Sequence, residues 1–510
     1  AGEPAIAIET LAPTSGRRTM QLAVINDDMP FLVDSIATTV AATGLNVDRI
    51  LHPVVSVRRN DKGVLTEILD GTPSGEKRES VIYMEIDRVD AKQRGELVAT
   101  IEATLNDVRA AVRDWPKMQT ALGTDADRIA DVEGAALLRW FLDRNFTQLG
   151  HELRARNGNV SATLGICSNG GPQLLADATI ERAFQWFEKG GRTPLLVKSN
   201  QVSTVHRHVL IDLVSVPVHG AKGVEALSIH AGMWTSAALS AAPDKVPVLR
   251  AQLSALNNKF GFDPNGHAGK ALVHALTALP HDLLISFDAP ALERLALTAM
   301  SLSDRPRAKI VTVNEALGRH LFAFVWLPRD EVSTGRRLAI EDMLERAAHA
   351  NVIGWTIVLE DGAPALLRYT LDMREGGIVP SDDALDKALQ AMVRGWVPEV
   401  ESRLAELGDE GRAAALAIKY ANSFPANYRT TYGATEAAQD ILRLRDTAAD
   451  ISGDKPVRKV RLYRKDGDTG GEFRMKGYVI RHALALSDVV PALENFGFRV
   501  IEEIPTALDG

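Results

Sequence analysis

The stretch that decides the fold runs from Thr19 to Ile36 and reads TMQLAVINDDMPFLVDSI. Its first seven residues are mostly apolar or β-branched, which predicts a strand. Asp28 can accept hydrogen bonds from the free N–H groups of a helix start, and Pro30 suits a first helical turn. Apolar residues then recur at helical spacing as far as Gly44, which predicts a helix that this glycine ends.

Three further strands and a second helix are predicted after this start. The strands lie at 47–57, 64–69 and 81–86, and an amphipathic helix follows at 91–113. The order β-α-β-β-β-α is close to the βαββαβ plan of a ferredoxin-like open-faced sandwich. Residues 1–15 are rich in Ala, Pro and Thr without periodicity, so we expect a flexible lead-in there.

The middle of the chain predicts a mostly antiparallel sheet with few helices. A helix at 128–144 comes first, and a second helix at 176–189 interrupts the strands. The strand candidates are 146–154, 160–166, 194–199, 209–218 and 224–230. This pattern fits either a PAS-like or an ACT-like domain. Residues 245–303 return to helix.

A second open-faced sandwich is predicted further along the chain. Its β-β-α-β-β elements lie at 308–314, 320–327, 336–350, 352–360 and 365–372. A helical segment at 382–448 separates it from a last β-β-α-β unit with elements at 457–465, 472–481, 486–496 and 498–504. That unit is one strand short of a closed ferredoxin-like sheet, so we expect the natural chain to continue beyond Gly510.

Composition narrows the functional classes. The chain has 510 residues, 45% apolar residues and a net charge of −8, and it has no long basic run. The length predicts three or four domains. The negative net charge and the lack of a long basic run argue against binding to nucleic acid or to anionic membranes. Cys167 is the only cysteine, which excludes an internal disulfide and a cysteine-based zinc cluster and fits the cytoplasm. No apolar run reaches the length of a transmembrane helix.

The sequence lacks the glycine pattern of nucleotide-binding enzymes. No two of its 39 glycines are separated by a single residue, so the Gly-x-Gly turn of an NAD-binding fold does not occur. Lys189-Gly190-Gly191 is interpreted as a helix-ending turn, and Cys167 as a core residue. His206 and His208 would share one face of a strand, but no third metal ligand is evident. We predict no catalytic, cofactor-binding or metal-binding residue in this chain.

The segment from Asn26 to Ile36, with Gly44 to Val47, resembles the start of an ACT domain. ACT domains pair side by side and often bind an amino acid where the first strand meets its helix, a place where backbone N–H groups suit a carboxylate. The effector site that the resemblance implies comprises Asp28, Met29, Phe31 and Asn46. Phe31 stands where ligand-binding ACT domains have glycine, so its ring would fill the space of a ligand.

Further segments resemble, in order, the N-terminal region of the large bacterial NAD-dependent glutamate dehydrogenases. They are His52-Pro53-Val54, Ser203 to Arg207, Ile211-Asp212, Ile229 to Ser236, Pro247 to Arg250, Lys270 to Leu272, Leu327 to Asp330, Phe424-Pro425 with Tyr428, and Leu486 to Asp488. Their collinearity makes the set more specific than any one motif. One departure is His281, which replaces an arginine, so an ion pair made there in relatives would be weaker or pH-dependent.

Pattern and resemblance together predict an α+β fold. It would consist of several ACT/ferredoxin-like open-faced sandwiches, a PAS- or ACT-like middle domain and helical connecting segments. The expected divisions are a lead-in at 1–15, an ACT-like domain at 16–122, a sheet domain with a helical tail at 123–303, an ACT-like sandwich at 304–378, a helical segment at 379–455 and the start of a further ACT-like unit at 456–510.

The resemblance also implies a function for the complete polypeptide, the oxidative deamination of L-glutamate to 2-oxoglutarate and ammonia with NAD. This chain would be its non-catalytic regulatory or oligomerisation region, without a cofactor of its own. The implied partners are the C-terminal catalytic domain, further copies of the chain through ACT-like pairing, and an amino-acid effector. The alternatives are an amino-acid-binding ACT effector module and a stand-alone ACT signalling protein.

Overall fold

The chain forms two compact units, Ala1–Asp382 and Asp383–Gly510. The computed structural model describes residues 3–10, 19–71, 76–170, 173–221, 223–304, 307–359, 364–393, 395–408, 411–450, 457–464, 473–480, 485–502, 504, 506 and 508. The fold is α+β with antiparallel sheets, as the sequence predicted. Within the described residues, no helix is both long enough and apolar enough to cross a membrane.

The first sandwich is a six-stranded antiparallel sheet with two helices packed on one face. Its elements are β1 (Ala5–Thr10), β2 (Thr19–Asp27), α1 (Leu32–Ala42), β3 (Val47–Leu51), β4 (Val54–Arg59), β5 (Leu65–Leu69), β6 (Lys77–Asp87) and α2 (Ala91–Arg128). The strand order is β1-β2-β6-β4-β5, and β3 also pairs with β6. Because side chains alternate along a strand, Met20, Leu22 and Val24 of β2 all face the helices, where they meet Leu32 and Ile36 of α1.

Strand β1 corrects the expectation of a flexible lead-in at 1–15 for residues 5–10, whereas residues 1–2 and 11–15 lie outside the described residues. Ala5–Thr10 pairs with β2 along its whole length, and its Ile6 and Ile8 pack against the core of the sandwich. The alternation of Ala and Ile at 5–8 was the sequence signal for this strand. The sheet is thus extended on that side by a strand that precedes the βαββ elements in the chain.

Helix α2 is longer than the predicted helix at 91–113. It begins at a capping box formed by Asp90 and continues through Pro116 to Arg128. Leu97, Ile101 and Leu105 belong to the core of the first sandwich, whereas Leu122 and Ala126 belong to a second core. The expected boundary between residues 122 and 123 therefore falls inside one continuous helix.

The middle sheet is preceded by α3 (Val132–Trp140). Its elements are β7 (Phe146–Ala155), β8 (Val160–Gly165), α4 (Asp177–Glu188), β9 (Leu195–Val202), β10 (Leu210–Gly220) and β11 (Gly223–Trp234). The five strands are antiparallel in the order β8-β7-β11-β10-β9. A hairpin, one helix and a three-stranded meander do not follow the βαββαβ plan. Of the two predicted alternatives, the observed element order therefore disagrees with the ACT-like one.

A layer of helices and the second sandwich complete the first unit. The helices are α5 (Ser236–Leu239), α6 (Leu249–Phe260), α7 (His267–Thr277), α8 (His281–Leu284) and α9 (Ala289–Asp304). The sandwich comprises β12 (Lys309–Asn314), β13 (His320–Leu327), α10 (Thr334–Ala348), β14 (Asn351–Val358) and β15 (Ala365–Asp372), with the sheet order β12-β13-β15-β14.

The second sandwich is covered on both faces of its sheet. Phe322, Phe324 and Trp326 of β13 share one core with helices α6 to α9. On the opposite face, the hydroxyl of Tyr369 donates a hydrogen bond to the carbonyl of Arg337 in α10, at 3.1 Å. β13 is consequently buried along its whole length. The face that an isolated open-faced sandwich would expose is occupied here by the chain's own helices.

The second unit is helical with a two-stranded sheet. Its elements are α11 (Asp382–Val393), α12 (Trp396–Glu406), α13 (Ala413–Tyr420), α14 (Ala426–Ala449), β16 (Arg458–Tyr463), β17 (Arg474–Val479) and α15 (Leu486–Asn495). The strand predicted at 498–504 does not form in residues 498–502 or at 504.

A buried carboxylate joins α14 to β17 in this unit. Asp440 is only 5% exposed and accepts hydrogen bonds from the hydroxyls of Tyr428 and Tyr478 and from the Lys476 ammonium, at 2.5, 2.7 and 2.7 Å. Burial and the Asp440 carboxylate raise the pKa of both tyrosines, so both hydroxyls remain hydrogen-bond donors.

Replacing Gly165 by alanine is expected to destabilise the first unit by about 3 kcal/mol. Gly165 has a φ of +60°, and a Cβ there would lie 2.1 Å from the backbone oxygen of Leu149. Gly158 in the same hairpin has a φ of +88° but open space around it, so Gly158→Ala should cost only about 1 kcal/mol. Urea unfolding of both variants measures the difference. Equal losses would show that the contact with β7 does not restrict residue 165.

Candidate functional site

The predicted effector residues at the start of α1 are held by contacts within the chain. Asp28 does not cap the helix; one carboxylate oxygen accepts a hydrogen bond from the Ser80 hydroxyl at 2.9 Å, and the other lies 3.4 Å from the Arg78 guanidinium. Met29 is half-buried against the core of the sandwich. Asp28 therefore ties the β2–α1 loop to β6.

Phe31 occupies the residue position immediately before α1 in a left-handed conformation, with φ at 73°. This conformation favours glycine and costs an L-residue about 1–2 kcal/mol. The ring is half-buried and lies 5.2 Å from the His206 ring, centroid to centroid. Phe31 thus stands at a backbone position suited to glycine while its side chain fills the space beside the helix start.

A loop of the middle sheet, residues 203–209, closes over this helix start. Val205 is 1% exposed and belongs to the core of the first sandwich. The backbone N–H of His206 donates to the Ser35 hydroxyl at 2.8 Å, and that hydroxyl donates to the carbonyl of Phe31 at 2.5 Å. His206 Nδ1 also lies 3.0 Å from a carboxylate oxygen of Asp34. The place where the ACT resemblance implies an amino-acid ligand is occupied by the chain itself.

Asn46 lies at the other end of α1. Its backbone N–H and its side-chain amide both donate to one carboxylate oxygen of Asp87, at 2.9 and 2.7 Å. The 11 residues of α1 rise by about 16 Å, which separates Asn46 from the other predicted residues. The structure therefore groups Asp28, Met29 and Phe31 at one end of the helix and places Asn46 at the far end.

His206 and His208 lie in the 203–209 loop and not on a strand, so they do not share a strand face. Among the described residues, the group that brings three metal-ligating side chains together is Asp125, His151 and His230. The sequence gives no sign of this group, because its members are far apart along the chain and form no motif of local spacing.

A buried ionic cluster joins the middle sheet to α8. The Lys198 ammonium lies 2.5 Å from a carboxylate oxygen of Asp212 and 2.5 Å from one of Asp282. Burial alone would lower the pKa of Lys198, but the two carboxylates raise it above its usual value, so it stays charged. Burial raises the pKa of Asp212, whereas the Lys198 ammonium holds that of Asp282 below its usual value despite burial. These charges position α8 on the sheet.

His281 next to this cluster is fully buried, and its Nε2 lies 3.2 Å from the carbonyl oxygen of Leu276. Burial lowers the pKa of His281, so its imidazole is neutral near pH 7. His281 therefore forms a backbone hydrogen bond and no ion pair of its own imidazole is needed for its place in the core.

Two other candidate residues have structural roles. Helix α4 ends at Glu188 and Gly190 adopts a φ of +77°, which confirms the interpretation of Lys189-Gly190-Gly191 as a helix-ending turn. Cys167 lies in a single turn after β8, and burial raises the pKa of its thiol to about 12. A thiol of that pKa is protonated near pH 7, as expected for a packing residue and not for a nucleophile.

Family models for five regions of glutamate dehydrogenase match the chain in succession. They are the ACT1 domain at 12–101, helical motif 1 at 246–305, the ACT2 domain at 309–397, helical motif 2 at 403–446 and the ACT3 domain at 458–510. The ACT1 and ACT2 ranges fall on the first and second sandwiches, and helical motif 1 falls on α6 to α9. The strands of the middle sheet lie outside these ranges.

Three curated relatives named NAD-specific glutamate dehydrogenase are similar over nearly the whole chain. The Halomonas elongata protein is 28% identical and the Pseudomonas aeruginosa protein 29% identical, each over 95% of this chain and 31% of the relative. The Mycobacterium tuberculosis protein is 22% identical over 99% of this chain and 32% of the relative. The chain thus spans about a third of the length of these relatives.

The two sandwiches and the matched ACT domains and helical motifs identify the class of this chain. It is an ACT-domain region of the glutamate dehydrogenase type. The chain belongs to the family of large NAD-dependent glutamate dehydrogenases, as its sequence predicted.

Removing the Ser35 hydroxyl is expected to loosen the contact between the 203–209 loop and α1. Ser35→Ala leaves the His206 N–H without its acceptor, which should lower the free energy of unfolding by about 2 kcal/mol. Thr38→Ala removes an exposed hydroxyl that also bonds to the backbone of α1, so it should change stability by less than about 0.5 kcal/mol. Chemical unfolding and amide exchange at His206 test this. Unchanged exchange at His206 in Ser35→Ala would contradict it.

Proposed function

We propose that this chain is the N-terminal, non-catalytic regulatory and assembly region of an NAD-dependent glutamate dehydrogenase. The complete protein would convert L-glutamate to 2-oxoglutarate and ammonia with NAD in the cytoplasm. The succession of ACT domains and helical motifs carries the proposal. The absence of any Gly-x-Gly turn from the sequence supports a catalytic domain elsewhere, and the relatives are about three times as long as this chain.

The alternative function, amino-acid binding by an ACT effector module, is not favoured by the first sandwich. Its helix start is covered by the Phe31 ring and by the 203–209 loop, which already uses the Ser35 hydroxyl. An amino acid would have to displace Val205 from the core to reach this place. We therefore propose a structural role for the first sandwich.

The purified chain is expected to form no NADH from L-glutamate and NAD, because the proposal places every catalytic and NAD-binding residue outside it. NADH fluorescence measures the reaction, and a commercial glutamate dehydrogenase added to the same mixture serves as the positive control. Turnover that rises in proportion to the concentration of the chain and co-purifies with it would overturn the proposal.

Strand β14 supports the assembly role. It is an edge strand of the second sandwich, and its sequence, NVIGWTIV, has no charged residue and no proline. Ile353, Trp355 and Ile357 are 41%, 46% and 37% exposed. The register of β14 against β15 shifts once, between Val352 and Gly354. The strand has neither the charges nor the prolines that also protect the edge strands of monomers, so its exposed apolar edge is a site for pairing with another strand. The proposed partner is β14 of a second copy, in a two-fold symmetric pair.

Ile357→Lys is expected to weaken self-association at least about tenfold, because it places an ammonium group on the apolar edge that pairing would bury. Val132→Lys places the same charge at a 78% exposed apolar residue at the start of α3 and should leave association unchanged. Sedimentation equilibrium of the wild-type chain and both variants gives the dissociation constants. A wild-type chain that remains monomeric at high concentration, or equal effects of the two variants, would refute pairing through β14.

A further inference from the structure

Two histidines of the middle sheet face one another beneath the C-terminal end of α2. His151 of β7 is the direct partner of His230 of β11 in the strand register, and their ring centroids are 4.7 Å apart. Asp125 in the last turn of α2 reaches the same place, with Oδ2 2.7 Å from His230 Nε2. The three residues are 5%, 0% and 3% exposed, so the cluster is buried.

The nitrogen and oxygen atoms of this cluster converge. The ligand atoms of the three residues all lie within 4.8 Å of one another. The Ser228 hydroxyl lies between the two rings, 3.0 Å from His151 Nε2 and 3.5 Å from His230 Nε2. Four ligands around a tetrahedral zinc ion stand about 3.4 Å apart. The spacing seen here thus needs only small side-chain rotations to match that of a metal site.

Neighbouring groups hold the side chains of His151 and Asp125 by hydrogen bonds, in the way that metal-binding side chains are usually held. His151 Nδ1 lies 3.2 Å from the carbonyl oxygen of Ala162, and this bond places the ring proton on Nδ1 and leaves the Nε2 lone pair directed at the cluster. The Arg128 guanidinium holds Oδ1 of Asp125 at 2.6 Å, which leaves Oδ2 facing the histidines. Such bonds from outside the ligand set fix the tautomer and direction of metal-binding side chains.

We propose that Asp125, His151 and His230 bind one divalent transition-metal ion of the zinc class, with the Ser228 hydroxyl or a water molecule as fourth ligand. Two imidazoles and a carboxylate match the nitrogen and oxygen ligands that zinc accepts. A structural histidine–aspartate pair would account for His230 and Asp125 but would not require a second imidazole in the cluster.

The metal would link elements that are distant in sequence. Asp125 belongs to the helix that also forms the core of the first sandwich, whereas both histidines belong to the middle sheet. A bound ion would stabilise the docking of α2 on β7 and β11, because binding to the folded state alone shifts the unfolding equilibrium.

The first test uses the unmodified chain after treatment with a chelator. Titration with Co²⁺ should give the visible absorption bands of a four-coordinate ion, saturating at one ion per chain, and Zn²⁺ should displace them. Zn²⁺ should also raise the melting temperature of the chain by several degrees. Absence of saturable Co²⁺ and Zn²⁺ binding would overturn the proposal without recourse to any variant.

Variants then assign the ligands. His151→Gln and His230→Gln should each weaken Zn²⁺ binding by about 100-fold or more, because each removes a direct ligand. His151→Cys supplies another zinc ligand and should retain part of the affinity. His208→Gln changes an exposed histidine of the 203–209 loop and should have no effect. If folded His151→Gln binds as tightly as the wild-type chain, or if His208→Gln abolishes binding, the assignment is wrong.

Discussion

The continuity of α2 is the constraint on which the first unit depends. Its 38 residues span about 57 Å, so one half contributes to the core of the first sandwich and the other half to the core beneath the middle sheet. Because the helix is continuous, one half cannot rotate about the axis without the other. The relative placement of the two sheets is therefore set by which faces of α2 are apolar. The 203–209 loop can close over α1 because this placement brings the middle sheet to the start of that helix.

This arrangement explains why the two sandwiches, although similar in topology, offer different surfaces. Both begin with a hairpin and continue through a helix to the strands that complete the sheet. In the first, the helix start is covered by Val205 and His206 of the middle sheet. In the second, the sheet face is covered by helices, and the apolar edge strand β14 stays exposed. The first ACT-like sandwich is thus packed against the middle sheet, and the second keeps an apolar edge exposed.

The differences between sequence and structure have local physical causes. The strand at Ala5–Thr10 was missed because a short Ala-Ile alternation beside Pro and Thr has little propensity of its own, and pairing with β2 supplies its stability. Helix α2 extends beyond the predicted segment because packing on both of its halves outweighs the loss of one hydrogen bond at Pro116. Asp28 had the residue type of a helix cap, but Ser80 and Arg78 on a neighbouring strand compete for its carboxylate.

By itself, the sequence determined the α+β class, the family and most elements of both sandwiches and of the middle sheet. These properties rest on hydrophobic periodicity and on motifs that are read over short distances along the chain. Only the tertiary structure decided the strand order of the middle sheet, the closure of α1 by the 203–209 loop and the meeting of Asp125, His151 and His230. Strand order and buried contacts join residues that lie up to about 170 positions apart, as His206 and Ser35 do, and no local pattern encodes such pairings.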